Sequence, residues 1–161
     1  MHTISFGSLL VLGVSCSAAA QSPSRWTFSL LAGPSSYDLA GTGTTFAAAG
    51  HAAWQWKPAL ALEPGVTYFH YRYATILFPE VSLQAVVPSG PFRPYFGVGA
   101  GQTLTVDGSG GRHLSLHATL GLRVPVVGNT WGGRGELRVR SPQQWGAVTA
   151  DWMFGLTFRP R

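Results

Sequence analysis

From Gly146 to Phe158 the chain alternates between two faces almost without exception. Ala150, Trp152, Phe154, Leu156 and Phe158 fall on one side, and Thr149, Asp151, Met153, Gly155 and Thr157 on the other. Side chains of an extended strand point to opposite faces in turn, so a period of two predicts a strand with one strongly apolar face. The pattern recurs upstream. Arg25–Ala32 sets Trp26, Phe28, Leu30 and Ala32 on one face, and the Gly-, Ser- and Thr-rich stretch from Gly33 to Thr44 reads as a loop. Thr45–Gln55 opposes Phe46, Ala48, Ala52 and Trp54 to Thr45, His51 and Gln55, ahead of a short turn at Trp56-Lys57-Pro58. Ala59–Tyr71 opposes Leu60, Leu62, Val66 and Tyr68 to Glu63 and Thr67. Thr75–Val87 opposes Leu77, Val81, Leu83, Ala85 and Val87 to Glu80, Ser82 and Gln84. Arg93–Thr105 carries Phe96, Val98, Ala100 and Leu104 against Tyr95 and three glycines, Gly97, Gly99 and Gly101. Arg112–Val124 alternates perfectly, and Trp131–Arg140 places Leu137 and Val139 against Arg134, Glu136, Arg138 and Arg140.

Eight such segments of about 9–13 residues match strands that cross a bilayer at a tilt, apolar side to lipid and polar side to a lumen. In lipid a sheet survives only if it closes, because every edge N–H and C=O needs a partner. The expected fold is therefore all-β: an eight-stranded antiparallel up-and-down transmembrane β-barrel following a cleaved signal peptide. An even strand number puts both termini in the periplasm. Pro64 and Pro79 fall inside strands and remove ladder donors, so bulges or shortened pairing are expected there. A soluble lipocalin-like barrel or sandwich is the rival, but it needs a charged coat. Only 11% of residues are charged, against about 25% in soluble domains.

Met1–Ala20 contains no Lys, Arg, Asp or Glu, has a short apolar stretch from Ile4 to Val14, and ends in Ala18-Ala19-Ala20. This is the small-residue pattern of a signal peptidase site. Residues 1–20 are expected to be the signal peptide and residues 21–161 the barrel domain. A lipoprotein anchored at Cys16 is the alternative, although Gly13 stands where a lipobox usually carries Leu. Cys16 is the single cysteine, so cleavage after Ala20 leaves no disulfide, thiol nucleophile or Cys-bound metal. No apolar run after residue 20 is long enough for a membrane helix. The net charge of +5 comes from scattered arginines without a basic cluster or nucleic-acid motif, and no nucleic-acid partner is expected.

Arg93-Pro94-Tyr95-Phe96-Gly97-Val98-Gly99-Ala100-Gly101 resembles the "RPYxGxGxG" strand of small OmpA-like and OmpX-like outer-membrane barrels. Glu136-Leu137-Arg138-Val139-Arg140 is similar to the "E-x-R-Y" strand of the same group. The resemblance spans about Arg25–Phe158. It implies a bacterial outer-membrane location, outer-membrane lipids including lipopolysaccharide and the barrel-assembly machinery as partners, and a monomer. Chains of that group commonly end on an aromatic residue, whereas Arg159-Pro160-Arg161 follow Phe158 here.

The inward face collects Glu63, Glu80, Glu136 and Asp151, with Arg123, Arg134, Arg138 and Arg140, and with His51, His113 and His117. An eight-stranded interior is filled by side chains, and charges trapped in it must be paired. The expectation is a structural salt-bridge network of Glu63, Glu80, Arg123, Arg134, Glu136, Arg138 and Asp151; a narrow pore is the lesser alternative. No recognised metal-ligand spacing joins the histidines, and no metal or cofactor is expected. His113 and Ser115, with Glu136 further on, resemble the His/Ser/Glu arrangement of outer-membrane lipid A deacylases, which implies a base, a nucleophile and an orienting group. The Asn-Ala that follows Ser in those enzymes is replaced by Leu116-His117, and the candidate residues face inward. Trp26, Trp54, Trp56, Phe92, Trp131 and Phe158 fall near one rim, and Tyr37, Tyr68, Tyr71, Tyr73 and Trp145 near the other, as two membrane-interface girdles. The function expected is a non-catalytic barrel with a structural or surface-contact role in the cell envelope.

Overall fold

The computed structural model describes residues 25–36, 43–71, 74–88, 90–106, 112–128, 130–142 and 148–161. The expected signal peptide, its cleavage site, Cys16, Tyr37, Tyr73 and Trp145 lie outside the described residues. Eight strands follow in order: β1 (Trp26–Ser36), β2 (Thr44–Lys57), β3 (Leu60–Tyr71), β4 (Ala74–Val86), β5 (Arg93–Thr105), β6 (His113–Val127), β7 (Trp131–Pro142) and β8 (Thr149–Phe158). Each pairs antiparallel with its neighbours in sequence, and β8 returns to β1, which closes the barrel.

Burial alternates along every strand in the inverse of a soluble protein's order. Leu30 is 75% exposed and Phe154 63%, while Arg138, Arg140 and Asp151 are fully buried. Water would solvate the opposite arrangement, so the outer wall requires an apolar solvent. With strands of 10–15 residues and a closed ladder, this is a transmembrane β-barrel.

Strands run longer than the sequence pattern predicts. β1 continues through Gly33 and Pro34 to Ser36, β2 absorbs Trp56-Lys57 after a bulge at Gln55/Lys57, and β6 extends to Val127 after a bulge at Pro125/Val127. Turn-forming residues lie within these segments, but one flanking strand supplies ladder partners that hold them extended: β2 for Gly33 and Pro34, β3 for Lys57 and β7 for Pro125. The bulges do not coincide with Pro64 or Pro79. Instead, the β2–β3 ladder lapses between His51↔Gly65 and Trp54↔Leu62, and the β4–β5 ladder between Leu77↔Leu104 and Glu80↔Gly101, each resuming in the same register. Pro34 sits in a third such lapse, between Ala32↔Phe154 and Ser35↔Asp151. Each proline lacks a donor toward one neighbour only, so local pairing shortens without moving the register.

A closed ladder of this kind resists detergent. The protein purified from membranes is expected to migrate faster in SDS gels before boiling than after it. Identical mobility with and without heat would contradict closure.

Candidate functional site

The lumen is the one compartment where this fold concentrates chemistry, and three levels fill it. At the level nearest the chain termini, Arg134 spans the interior. Its two terminal nitrogens reach both oxygens of Glu63 at 2.7 Å, and one of them also meets Glu136. Its Nε donates to the Tyr95 hydroxyl at 2.7 Å, and that hydroxyl donates to Glu136 at 2.5 Å. Arg123 donates to Glu63 at 3.1 Å and to Gln84 at 2.5 Å, and both Arg123 and Arg134 lie over the Tyr95 ring, 4.7 and 4.9 Å from its centroid. Glu63 thus serves as a hub, with Gln84 donating to its other oxygen at 2.7 Å.

In the middle level Arg138 pairs with Glu80 and, at 2.7 Å, with Glu136. His51 lies 3.8 Å from Glu63 and 3.7 Å from Glu80, and His117 meets the Ser82 hydroxyl at 2.7 Å. At the third level Arg140 holds Glu80 at 3.0 Å, pairs with Asp151, and donates to the Thr67 hydroxyl at 2.8 Å. Its guanidinium lies 5.4 and 5.3 Å from the ring centroids of Phe69 and Phe78. Those rings belong to an apolar cluster with Leu31, Ala47, Ala49, Ile76 and Met153 that fills the lumen toward the opposite mouth.

Four carboxylates, Glu63, Glu80, Glu136 and Asp151, face four guanidiniums, those of Arg123, Arg134, Arg138 and Arg140, so the network is charge-balanced. Glu63 and Glu80 are each held by arginines from other strands, Glu136 by Arg134 and Arg138 of its own strand and Asp151 by Arg140, which offsets the desolvation of burying them. The bulky lumen groups fit because glycines stand beside them in register: His51 beside Gly65, His117 beside Gly99, Glu80 beside Gly101 and Tyr95 beside Gly121. A Cβ on Gly121 would collide with the Tyr95 ring, and one on Gly65 with the His51 ring. The β5 glycines make room for His117 and Glu80 on adjacent strands.

His113, Ser115 and Glu136 are not brought together. Ser115 Oγ is buried and has no hydrogen-bond partner, and no bond joins it to His113. Glu136 pairs in register with Gly121, six residues from Ser115, which is about 20 Å along the strand at roughly 3.3 Å per residue. Glu136 is also bound by Arg134, Arg138 and Tyr95. His51, Glu63 and Glu136 do place ligand atoms within 4.8 Å of one another, a grouping that no sequence spacing signals because three strands contribute to it. Both carboxylates are already bound by arginines, so a dication would enter against guanidinium charge.

At the terminal rim Trp54 packs at a tilt between Trp26 and Trp56, with ring centroids 6.4 and 6.0 Å away, and Trp26 stacks on Phe28. Phe28 pairs in register with Phe158, which packs 4.9 Å from Trp131. The aromatic wall therefore runs continuously over β2, β1, β8 and β7. Phe92, in the β4–β5 turn, is exposed at the same end, and Tyr68 lies on the outer wall toward the other end.

No protein-family model matches the chain, and no curated protein matches it in sequence. Its fold does have close counterparts among solved structures. Neisserial surface protein A superimposes with a TM-score of 0.69 at 14% identity, over 87% of this chain and 100% of that one. The N-terminal β-barrel domain of Pseudomonas aeruginosa OprF gives 0.64 at 10% identity, over 86% and 100%. The Pseudomonas aeruginosa outer membrane protein OprG gives 0.57 at 14%, over 86% and 97%. At these identities the likeness is one of fold: the chain has the closed eight-stranded architecture of small bacterial outer-membrane barrels.

Proposed function

We propose that the protein is a non-conducting, non-catalytic barrel of the bacterial outer membrane, and that its part in the cell envelope is structural or one of surface contact through its inter-strand connections. The observation that carries this reading is the occluded, charge-balanced lumen. Arg138, Arg140, Gln84, Thr67 and Asp151 have no accessible surface, so no open water path runs beside them. A general base or nucleophile needs access to substrate, whereas Ser115 faces inward and lipid lies outside. The proposed partners follow from the apolar wall and the fold: outer-membrane lipids including lipopolysaccharide, the barrel-assembly machinery during insertion, and no second copy.

Two measurements test this reading. In planar bilayers the protein is expected to give no steady conductance steps; discrete, reproducible openings would establish the pore instead. In cells expressing the protein, lipid A acylation is expected to match that of cells without it. Loss of an acyl chain with the wild type, restored by Ser115→Ala, would establish the deacylase.

A further inference from the structure

The four lumen carboxylates balance the four lumen arginines, so the +5 net charge resides elsewhere. Asp38 and Asp107, the remaining acids, fall in sequence within connections at the end away from the termini, as do Arg72 and Arg112. The five cations left are Arg25, Lys57, Arg93, Arg159 and Arg161, and all belong to the terminal end. Among the described residues that end has no side-chain carboxylate outside the lumen network.

The tail that departs from the outer-membrane pattern is anchored there. Arg159 N–H donates to the Thr130 carbonyl at 2.7 Å, its guanidinium donates to Gln55 Oε1 at 2.8 Å, and Arg161 Nε reaches Thr130 Oγ1 at 3.3 Å. Arg159 is thereby turned over the mouth of the lumen, where it lines a cavity of about 60 Å³ with Arg93, Arg123, Gln55, Thr130 and Thr157. A water needs only ~10–15 Å³ of such space, so the cavity has room for a small oxyanion. The Arg93 guanidinium makes no hydrogen bond or ion pair with any described residue, and its Nε and that of Arg123 are buried without a partner. Burial, and then the nearby Arg93 guanidinium, hold Arg159 below the usual arginine range. Like charges crowded at a half-buried mouth, with donors unused, are a site short of an anion.

We propose that this mouth binds a phosphate-type oxyanion, gripped by Arg93 and Arg159 with Arg123 behind them. Planar guanidiniums suit the paired oxygens of phosphate. Two sources offer that chemistry, free phosphate and the headgroup of an anionic lipid; the aromatic wall at the same end sets the level at which headgroups lie.

The test is isothermal titration of inorganic phosphate into the protein, purified from membranes in a maltoside detergent and a phosphate-free buffer. One saturable site per chain is expected, weakened at least tenfold in R93Q/R159Q and unchanged in R161Q, whose residue does not line the cavity. Binding that chloride at equal ionic strength reproduces, or that survives in R93Q/R159Q, would overturn the proposal, as would no saturable binding. Should the double variant fail to fold, phosphate must protect Arg93 and Arg159 of the wild type from phenylglyoxal; unprotected arginines would overturn the proposal equally. Repeating the titration in phosphatidylcholine nanodiscs with and without phosphatidylglycerol separates the sources. Competition by phosphatidylglycerol assigns the site to a lipid headgroup, and undiminished binding assigns it to free phosphate.

Discussion

Glu63→Ala is expected to destabilise the barrel by about 3–5 kcal/mol, the usual cost of removing one partner from a buried ion network. Among the described residues Glu63 is the only carboxylate paired with Arg123, and it takes both terminal nitrogens of Arg134 and one of Arg138. Its loss leaves Arg123 with Gln84 as its one side-chain acceptor among the described residues, in a desolvated lumen. Glu136→Ala should cost less, because Arg134 keeps Glu63 and Arg138 keeps Glu80. Urea unfolding in lipid vesicles, followed by tryptophan fluorescence, measures both variants. Equal losses would mean that the pairing does not partition as these contacts indicate.

Leu120→Arg is the second large effect, expected at about 2–4 kcal/mol, the range for a cation on the lipid face near mid-bilayer. Leu120 is 61% exposed on the outer wall near the middle of β6, beside Phe96 and Leu137 on the flanking strands. Thr119, one residue away, is buried on the lumen side, where Thr119→Ser keeps a hydroxyl among polar groups and should change stability little. The same unfolding assay compares the two. Comparable losses at both positions would mean that the two faces of β6 meet similar surroundings.

The strands and their facing were legible because the physics that sets them is local. A pleated backbone sends neighbouring side chains to opposite sides, and a bilayer outside with a polar lumen inside imposes one residue class on each. Leu114, Leu116, Leu120 and Leu122 alternate with Ser115, His117 and Thr119 in any window read alone. Strand ends were less legible. Gly33, Pro34, Lys57 and Pro125 carry turn propensity, and it is the neighbouring strands of the closed sheet that keep them extended. The same neighbours let Pro64 and Pro79 lapse in pairing without a bulge.

The inward acids and arginines could be named from the alternation, but their partners could not. Arg134 meets Glu63, which is 71 residues away, and Arg140 meets Glu80, 60 residues away, across the diameter of the barrel. Such distances depend on strand stagger and on where glycines leave space, and both are properties of closure rather than of any one strand. Tyr95 against Gly121, and His51 beside Glu63 and Glu80, are of this kind. So is the mouth at the terminal end, where Arg93 from β5, Arg123 from β6 and Arg159 from the tail converge although 66 residues separate the first from the last in sequence. Which solvent each face of each strand meets is readable from the alternation alone, because it follows from one side chain and its neighbour. Which charge answers which is a matter of the closed barrel, because Coulomb attraction in a desolvated lumen depends on separations of a few ångströms that closure alone sets.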